Sequence, residues 1–470
     1  MRGPYGPRKT SRANRPRQSP ARRVSRPAAL LGFATVACLA AAIGPGCEPA
    51  GPKDPRPVIL YACDNQGVLA ACGCPSNPSG GFAKRQGLIQ RYRLTRRHVI
   101  VVDAGNLFPY YRHAVKEKYL AKAASRAAWD AIAAGEQELD LGVERLGELR
   151  ETYRLPIICA NVRDAEGELV VPPHVIRRVA GMRIGIFAVI AEQTYDWPQP
   201  KWRKRLTVEP VLDAARREVA ALAGCDLVVA LSHQGIDASR RLAREVPGIG
   251  VVVAGRGRKI LTRPEKVAET LLVAPGEAGN ILGALTLERD HRGRLRLSSD
   301  LTTLSARIPE AAWVLDLYWQ YVKEAKAKPP PDWDQTSIPA RYETAEACKE
   351  CHEDQYKHWL TTKHAHTYAS IKRAGRQGDP ECLLCHTMGL GRRGGFVSMA
   401  ATAGLGRVTC QACHVVTADH HEKKVTRDPA IYISSRLCMS CHGPVRSPDF
   451  DYYVYKPKIL HTKDGGDRKQ

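Results

Sequence analysis

Five apolar runs stand out along residues 57–305: VILYAC from Val58, HVIVVDA from His98, MRIGIFAVI from Met182, DLVVALS from Asp226 and GIGVVVAG from Gly248. Each is short and nearly continuous, as in a strand covered on both faces rather than one alternating towards water. Between them, residues 115–134 and 211–223 place apolar side chains at helical spacing. The pattern predicts an α/β domain built on a buried sheet. A further helical stretch over 309–326 runs into KAKPPPDWDQTSIPA, whose prolines at 329–331 can neither continue a helix nor pair in a central strand. The reading therefore gives a domain at 57–306, a helix and proline-rich linker at 307–340, and a second domain at 341–462 with a tail at 463–470.

The first 46 residues carry nine Lys and Arg and no acid, then a run of Ala, Leu, Val and Gly from Ala28 to Gly46. This is the build of an export signal, shorter than a spanning helix and broken by Gly44, Pro45 and Gly46. Gly46-Cys47 resembles a lipobox, which implies a lipid anchor on Cys47, a tether at 47–56 and a place in the periplasm or cell envelope; ordinary cleavage near Ala50 is the alternative. Pro45 departs from the lipobox pattern. Loss of the signal lowers the formal charge from +23 to +14.

Beyond residue 341 the chain holds ten of its fifteen histidines and eight of its fifteen cysteines. They include four C-x-x-C-H motifs: Cys348, Cys351 and His352; Cys382, Cys385 and His386; Cys410, Cys413 and His414; Cys438, Cys441 and His442. Two thiols three residues apart reach the two vinyl groups of one porphyrin, and the next residue brings an imidazole to the iron. Zinc sites and disulfides use C-x-x-C pairs too, but neither requires histidine straight after the second cysteine. Four c-type haems are expected, with His352, His386, His414 and His442 as proximal ligands. Their propionates add roughly eight negative charges, which offsets most of the basic excess and argues against a nucleic-acid partner.

The second axial ligands are open among His358, His364, His366, His420, His421 and His461, with Met388 and Met399 as thioether alternatives. The order CKECH, Trp359, Lys363-His364-Ala365-His366, CLLCHTMG, VTCQACH with His420-His421, CMSCH and the final KILH ending at His461 resembles the tetrahaem cytochrome c-554/c-prime family. That resemblance implies a mainly helical and irregular domain, closely stacked haems, and redox proteins as partners. It implies distal ligands at His364, at His420 or His421, and at His461, and in some members one five-coordinate iron. Val415-Val416 stand where relatives often have Gly-Pro.

The larger domain resembles the metallophosphoesterase domain of 5′-nucleotidases, through GGFAKR from Gly80, VDAGN from Val102, GEQE from Gly135, CANV from Cys159, LSHQG from Leu231 and AGRGR from Ala254. The resemblance implies a four-layer αββα sandwich of two sheets between helices. At the family's two-metal positions this chain has Asp64 with Gln66, then Asn106, Glu136, His233, Arg256 and Arg258, so only Asp64 and His233 keep the family residue. Gln137 stands at the catalytic histidine. Two guanidinium groups and a lost bridging carboxylate disfavour a dication pair. Arg256 and Arg258 are expected to be paired internally or solvated, with an anion site as the alternative, and Glu136 and Glu138 read as structural acids beside them. Cys63, Cys72 and Cys74 are open between free thiols, a disulfide and a metal site. The expected function is electron transfer, with the larger domain docking partners or binding a small-molecule ligand. The alternatives are reduction of a small nitrogen or sulfur species at an open haem, and hydrolysis of the 5′-nucleotidase type.

Overall fold

The computed structural model describes residues 53–71, 80–109, 113–192, 205–257, 259–276, 279–327, 342–390, 392, 394–414, 420, 435–442, 447 and 450–461. The leader, Cys47, Cys72, Cys74, Arg258, the proline-rich segment, His421 and the tail lie outside these residues. Among the described residues no helix is long and apolar enough to cross a membrane.

The chain first lays down parallel strands β1 (Val58–Ala62), β2 (Val99–Asp103), β3 (Ala131–Ala133) and β4 (Ile157–Ile158), connected through helices α1 (Phe82–Thr95), α2 (Ala114–Ala127), α3 (Glu136–Leu139) and α4 (Val143–Tyr153). A two-stranded ribbon joins β5 (Val162–Arg163) to β8 (Thr207–Val208) around β6 (His174–Val179) and β7 (Met182–Ile190). Helix α5 (Val211–Ala221), β9 (Leu227–His233), α6 (Ile236–Glu245), β10 (Val251–Gly255), β11 (Glu265–Val267) and β12 (Thr270–Val273) follow. The hairpin β13 (Ile281–Arg289) and β14 (Leu295–Thr303) then returns to the edge of the first sheet, β13 pairing antiparallel with β1. Two mixed six-stranded sheets result, ordered β14-β13-β1-β2-β3-β4 and β11-β12-β10-β9-β7-β6.

Burial explains the uninterrupted apolar runs. In β1, Val58, Leu60 and Ala62 enter the core beneath α1 and α2, whereas Ile59 and Tyr61 enter the core between the sheets. In β9, Leu227, Val229 and Leu231 face the first sheet, and Val228 and Ala230 lie under α5 and α6. Both faces of β1 and β9 are dry, so neither shows polar alternation. The layers run helix, sheet, sheet, helix. Tyr61 packs flat over Gly283 of β13, where an added Cβ would lie 2.0 Å from the ring, and its hydroxyl reaches Ser299 Oγ at 2.7 Å.

Two sequence expectations change. The helical spacing over 115–134 does not continue as one helix: α2 ends at Ala127, Ala128 turns left-handed, and 131–133 form a buried strand. Alanines carry little period of their own, so a three-residue alanine-rich strand reads as more helix. The stretch assigned with the linker supplies α7 (Ala312–Ala327), whose Val314, Tyr318, Tyr321 and Val322 are buried in the core shared with α1 and α2.

The second region contains short helices α8 (Ala345–Lys349), α9 (Glu353–Thr361), α10 (Thr367–Arg373), α11 (Pro380–His386), α12 (Ser435–Met439) and α13 (Tyr452–Tyr455), with 3-10 turns between them. Its described apolar clusters are small. One gathers Tyr342, Ile371, Leu383, Leu390, Phe396 and Leu405, and the other Ala345, Trp359 and Ala365.

Candidate functional site

Each C-x-x-C-H motif forms a helical turn. The amides of His352, His414 and His442 donate to the carbonyls of Cys348, Cys410 and Cys438 at 3.0, 2.9 and 2.9 Å, and Cys382, Cys385 and His386 lie within α11. Residues three and four apart share a helix face, so each turn presents two thiols and one imidazole on the same side. Among the described residues, none of the motif cysteines is paired in a disulfide.

Three motif histidines face a second histidine from elsewhere in the chain. The ring centres of His352 and His420 are 6.2 Å apart with planes 18° from parallel; those of His414 and His461 are 6.4 Å apart at 22°; those of His442 and His364 are 6.1 Å apart at 48°. A metal about 2 Å from one nitrogen of each of two imidazoles separates the ring centres by about 6 Å. The spacing of each pair therefore matches that of two imidazoles on one iron. Burial, followed by neighbouring imidazoles, holds His364, His442 and His461 below the ordinary histidine pKa, favouring the neutral rings that ligate metals. His386 donates from Nδ1 to the Thr367 carbonyl at 2.9 Å, and His442 Nδ1 meets Ser447 Oγ at 3.2 Å, contacts that orient a ligating ring.

The remaining candidates sit differently. His366 donates from Nε2 to the Leu360 carbonyl at 2.9 Å. His358 lies beside His461, Nδ1 to Nδ1 3.1 Å, with the rings edge to face. Met388 packs against the Leu383 cluster, and Met399 is exposed. The motifs adjoin out of sequence order: the Cys348 thiol feels Cys410 of the third, the Cys413 thiol feels Cys438 and Cys441 of the fourth, and His442 feels His386 of the second.

In the α/β domain the strand ends of β1, β2, β3, β9 and β10 converge where the family's metals would lie. Asp64, Asn106 and Arg256 adopt positive φ of 50°, 60° and 61°, strained conformations that concentrate at functional sites. Asn106 Nδ2 donates to Asp64 Oδ1 at 2.9 Å, the Arg256 amide to Asp64 Oδ2 at 3.0 Å, and the Gln137 amide to Asn106 Oδ1 at 3.1 Å. His233 donates from Nδ1 to the Ala104 carbonyl at 2.7 Å, and its Nε2 meets Glu136 Oε2 at 2.6 Å; Arg256 Nε lies 2.6 Å from Glu136 Oε1. Gly105, at φ 105°, permits this approach, since a Cβ there would stand 2.7 Å from His233 Nδ1. Among the described residues no cluster of His, Cys, Asp and Glu is arranged to hold a metal ion.

The site is instead an internal charge network. Burial works against the charge on Glu136, yet His233 and Arg256 hold its pKa below the usual range; burial likewise opposes His233, and Glu136 and Asp64 raise it. Behind it, Arg85 Nη1 pairs with Asp103 Oδ2 at 3.0 Å with both side chains fully buried, and burial lifts Asp103 to about 7 against the pull of Arg85. Arg256 is paired internally, as expected. Glu138 is a structural acid, as expected: its carboxylate accepts the amides of Asn106, Leu107, Phe108 and Gly135 at 2.8–3.1 Å. Cys63 is a buried free thiol directed at the Gly276 carbonyl.

Residues 347–415 match the family model for cytochrome c554 and c-prime. The larger region is similar to the snake venom 5′-nucleotidase of Crotalus adamanteus, 29% identical over 193 residues, covering 39% of this chain and 32% of the relative. It is also similar to the 5′-nucleotidase of Homo sapiens, 27% identical over 273 residues, covering 51% and 46%. The chain thus spans less than half the length of these relatives. Among solved structures, the sulfate thiohydrolase SoxB of Thermus thermophilus has a TM-score of 0.51 at 17% identity, covering 62% of this chain and 63% of that one. The NAD nucleotidase of Haemophilus influenzae has a TM-score of 0.50 at 16% identity, covering 64% and 68%. Both are likenesses of fold. The chain joins a large region similar to 5′-nucleotidases to a C-terminal region that matches the cytochrome c554 and c-prime family.

Proposed function

We propose that this chain is an exported electron-transfer protein that carries four covalent haems on its C-x-x-C-H turns, anchored by lipid at Cys47. The three histidine pairs, with ring centres 6.1–6.4 Å apart, carry the reading, because that spacing supports a second imidazole on the irons of His352, His414 and His442. His420, His461 and His364 are the corresponding distal ligands. When bound, the haems supply one-electron redox chemistry at potentials kept low by bis-histidine ligation. The protein positions the rings, keeps His364, His442 and His461 neutral through burial, and sets the motifs side by side in the order first, third, fourth, second. A modestly basic surface favours an acidic redox protein as donor or acceptor.

The larger domain acts on this reading as a docking or ligand-binding module. Its support is the Glu136, His233 and Arg256 network, which occupies the metal positions with side chains already paired to one another. The names of the relatives favour a second reading, hydrolysis of a nucleotide. Purified protein separates them: about four haem irons per chain with stepwise reversible reduction, and no phosphate released from AMP with manganese or zinc, is the expected result. Zinc without covalent haem would overturn the first reading, and metal-dependent phosphate release would establish the second.

A further inference from the structure

The contact between the two regions falls on one of the haem-attachment helices. Asp379 caps α11, accepting the Glu381 amide on Oδ1 at 3.0 Å, while its carbonyl accepts the amides of Cys382 and Leu383, both at 3.0 Å. The same carboxylate, 3% exposed, accepts the hydroxyl of Tyr318 at 3.0 Å and that of Tyr321 at 3.4 Å, both from α7. Two residues later, Glu381 pairs with Lys116 of α2, itself 1% exposed. Arg376 lies 4.8 Å above the Tyr318 ring. Charges and dipoles buried this way are screened little by water or salt.

We propose that Asp379 is a positioning residue through which the α/β domain fixes the helix bearing Cys382, Cys385 and His386 and sets the potential of the haem bound there. The inference rests on the haem reading above. It assigns the phosphoesterase-like domain a task that needs no metal and no substrate: a rigid wall of α2 and α7 that holds one haem and supplies its local field. The buried carboxylate favours the ferric iron. The two tyrosine hydroxyls point their positive ends at that carboxylate and soften its field.

Two variants move the same haem in opposite directions. Asp379→Asn removes the negative charge, and one of the four midpoint potentials rises while the other three hold. Tyr318→Phe with Tyr321→Phe keeps the charge and removes the two dipoles, and that same potential falls. The double variant also speeds hydrogen exchange at residues 382–386 roughly tenfold, because two buried hydrogen bonds are lost, with residues 353–361 unchanged. Each is measured on holoprotein by spectroelectrochemical titration and exchange mass spectrometry. Shifts in the same direction in both variants mean mere loosening and overturn the proposal, as do unmoved potentials. Protein purified without covalent haem overturns the function reading, whereas four haems with unmoved potentials overturns this inference alone.

Discussion

His233 Nε2 lies 2.6 Å from a carboxylate oxygen of Glu136, with the imidazole fully buried. Burial works against the imidazolium, but Glu136 and Asp64 outweigh it and raise His233 from its ordinary 6.5 to about 9. A raised histidine contributes stability that is fully present below pH 6.5 and is lost as pH climbs through 9. Glu136, held below its ordinary 4.5, contributes stability present above that pH and lost on acidification. The network is therefore strongest between pH 4.5 and 6.5. His233→Gln should flatten the decline in unfolding free energy between pH 6.5 and 9, a decline of about 3 kcal/mol at most in the parent protein. Denaturant curves across that range test it, and equal slopes for both proteins would refute it.

Asn106 donates to Asp64 at the position where the resemblance to 5′-nucleotidases implies a bridging carboxylate. Asn106→Asp exchanges a buried hydrogen bond for two facing carboxylates, at a cost of roughly 2–4 kcal/mol at neutral pH. Manganese should recover none of this loss while Arg256 holds Glu136. Thermal unfolding with and without the metal reads both effects.

The C-x-x-C-H turns were legible because their chemistry is local: five residues in one turn bring thiols and imidazole together. The two-sheet core was legible for a similar reason, since strands such as β1 and β9 bury both faces and show as unbroken apolar runs. The histidines beside His352, His414 and His442 were legible only as a pool, because folding of separate segments brings them together. Nothing local distinguishes His461, facing His414, from His366, turned onto Leu360. The docking of α7 was hidden by its prolines downstream, and the partners of Asp379 lie about 60 residues away in the chain.

Glu138 shows how much of the larger domain is held by one carboxylate. It accepts four backbone amides from the loop after β2 and the turn before α3, so it fixes both sides of the charge network. Glu138→Ala leaves these donors unpaired in a dry site and should cost roughly 3–5 kcal/mol. Glu138→Gln keeps one acceptor oxygen and should cost about half as much. Urea unfolding of the two variants side by side would show whether the loss scales with the donors left unpaired.

The ring spacings make each distal histidine separately testable. Removing an axial imidazole leaves an iron with one protein ligand and converts it from low to high spin. Single changes His364→Ala, His420→Ala and His461→Ala should each convert one haem in four, counted by low-temperature electron paramagnetic resonance of the oxidised protein. His366→Ala should convert none, because that ring is committed to the Leu360 carbonyl. His461→Met goes further: a thioether opposite His414 keeps the haem low-spin and raises its potential relative to the bis-histidine parent. If His461→Ala left every haem low-spin, the ring of His358, 3.1 Å away at Nδ1, would have replaced it, and the double variant with His358→Ala would then show the missing high-spin signal.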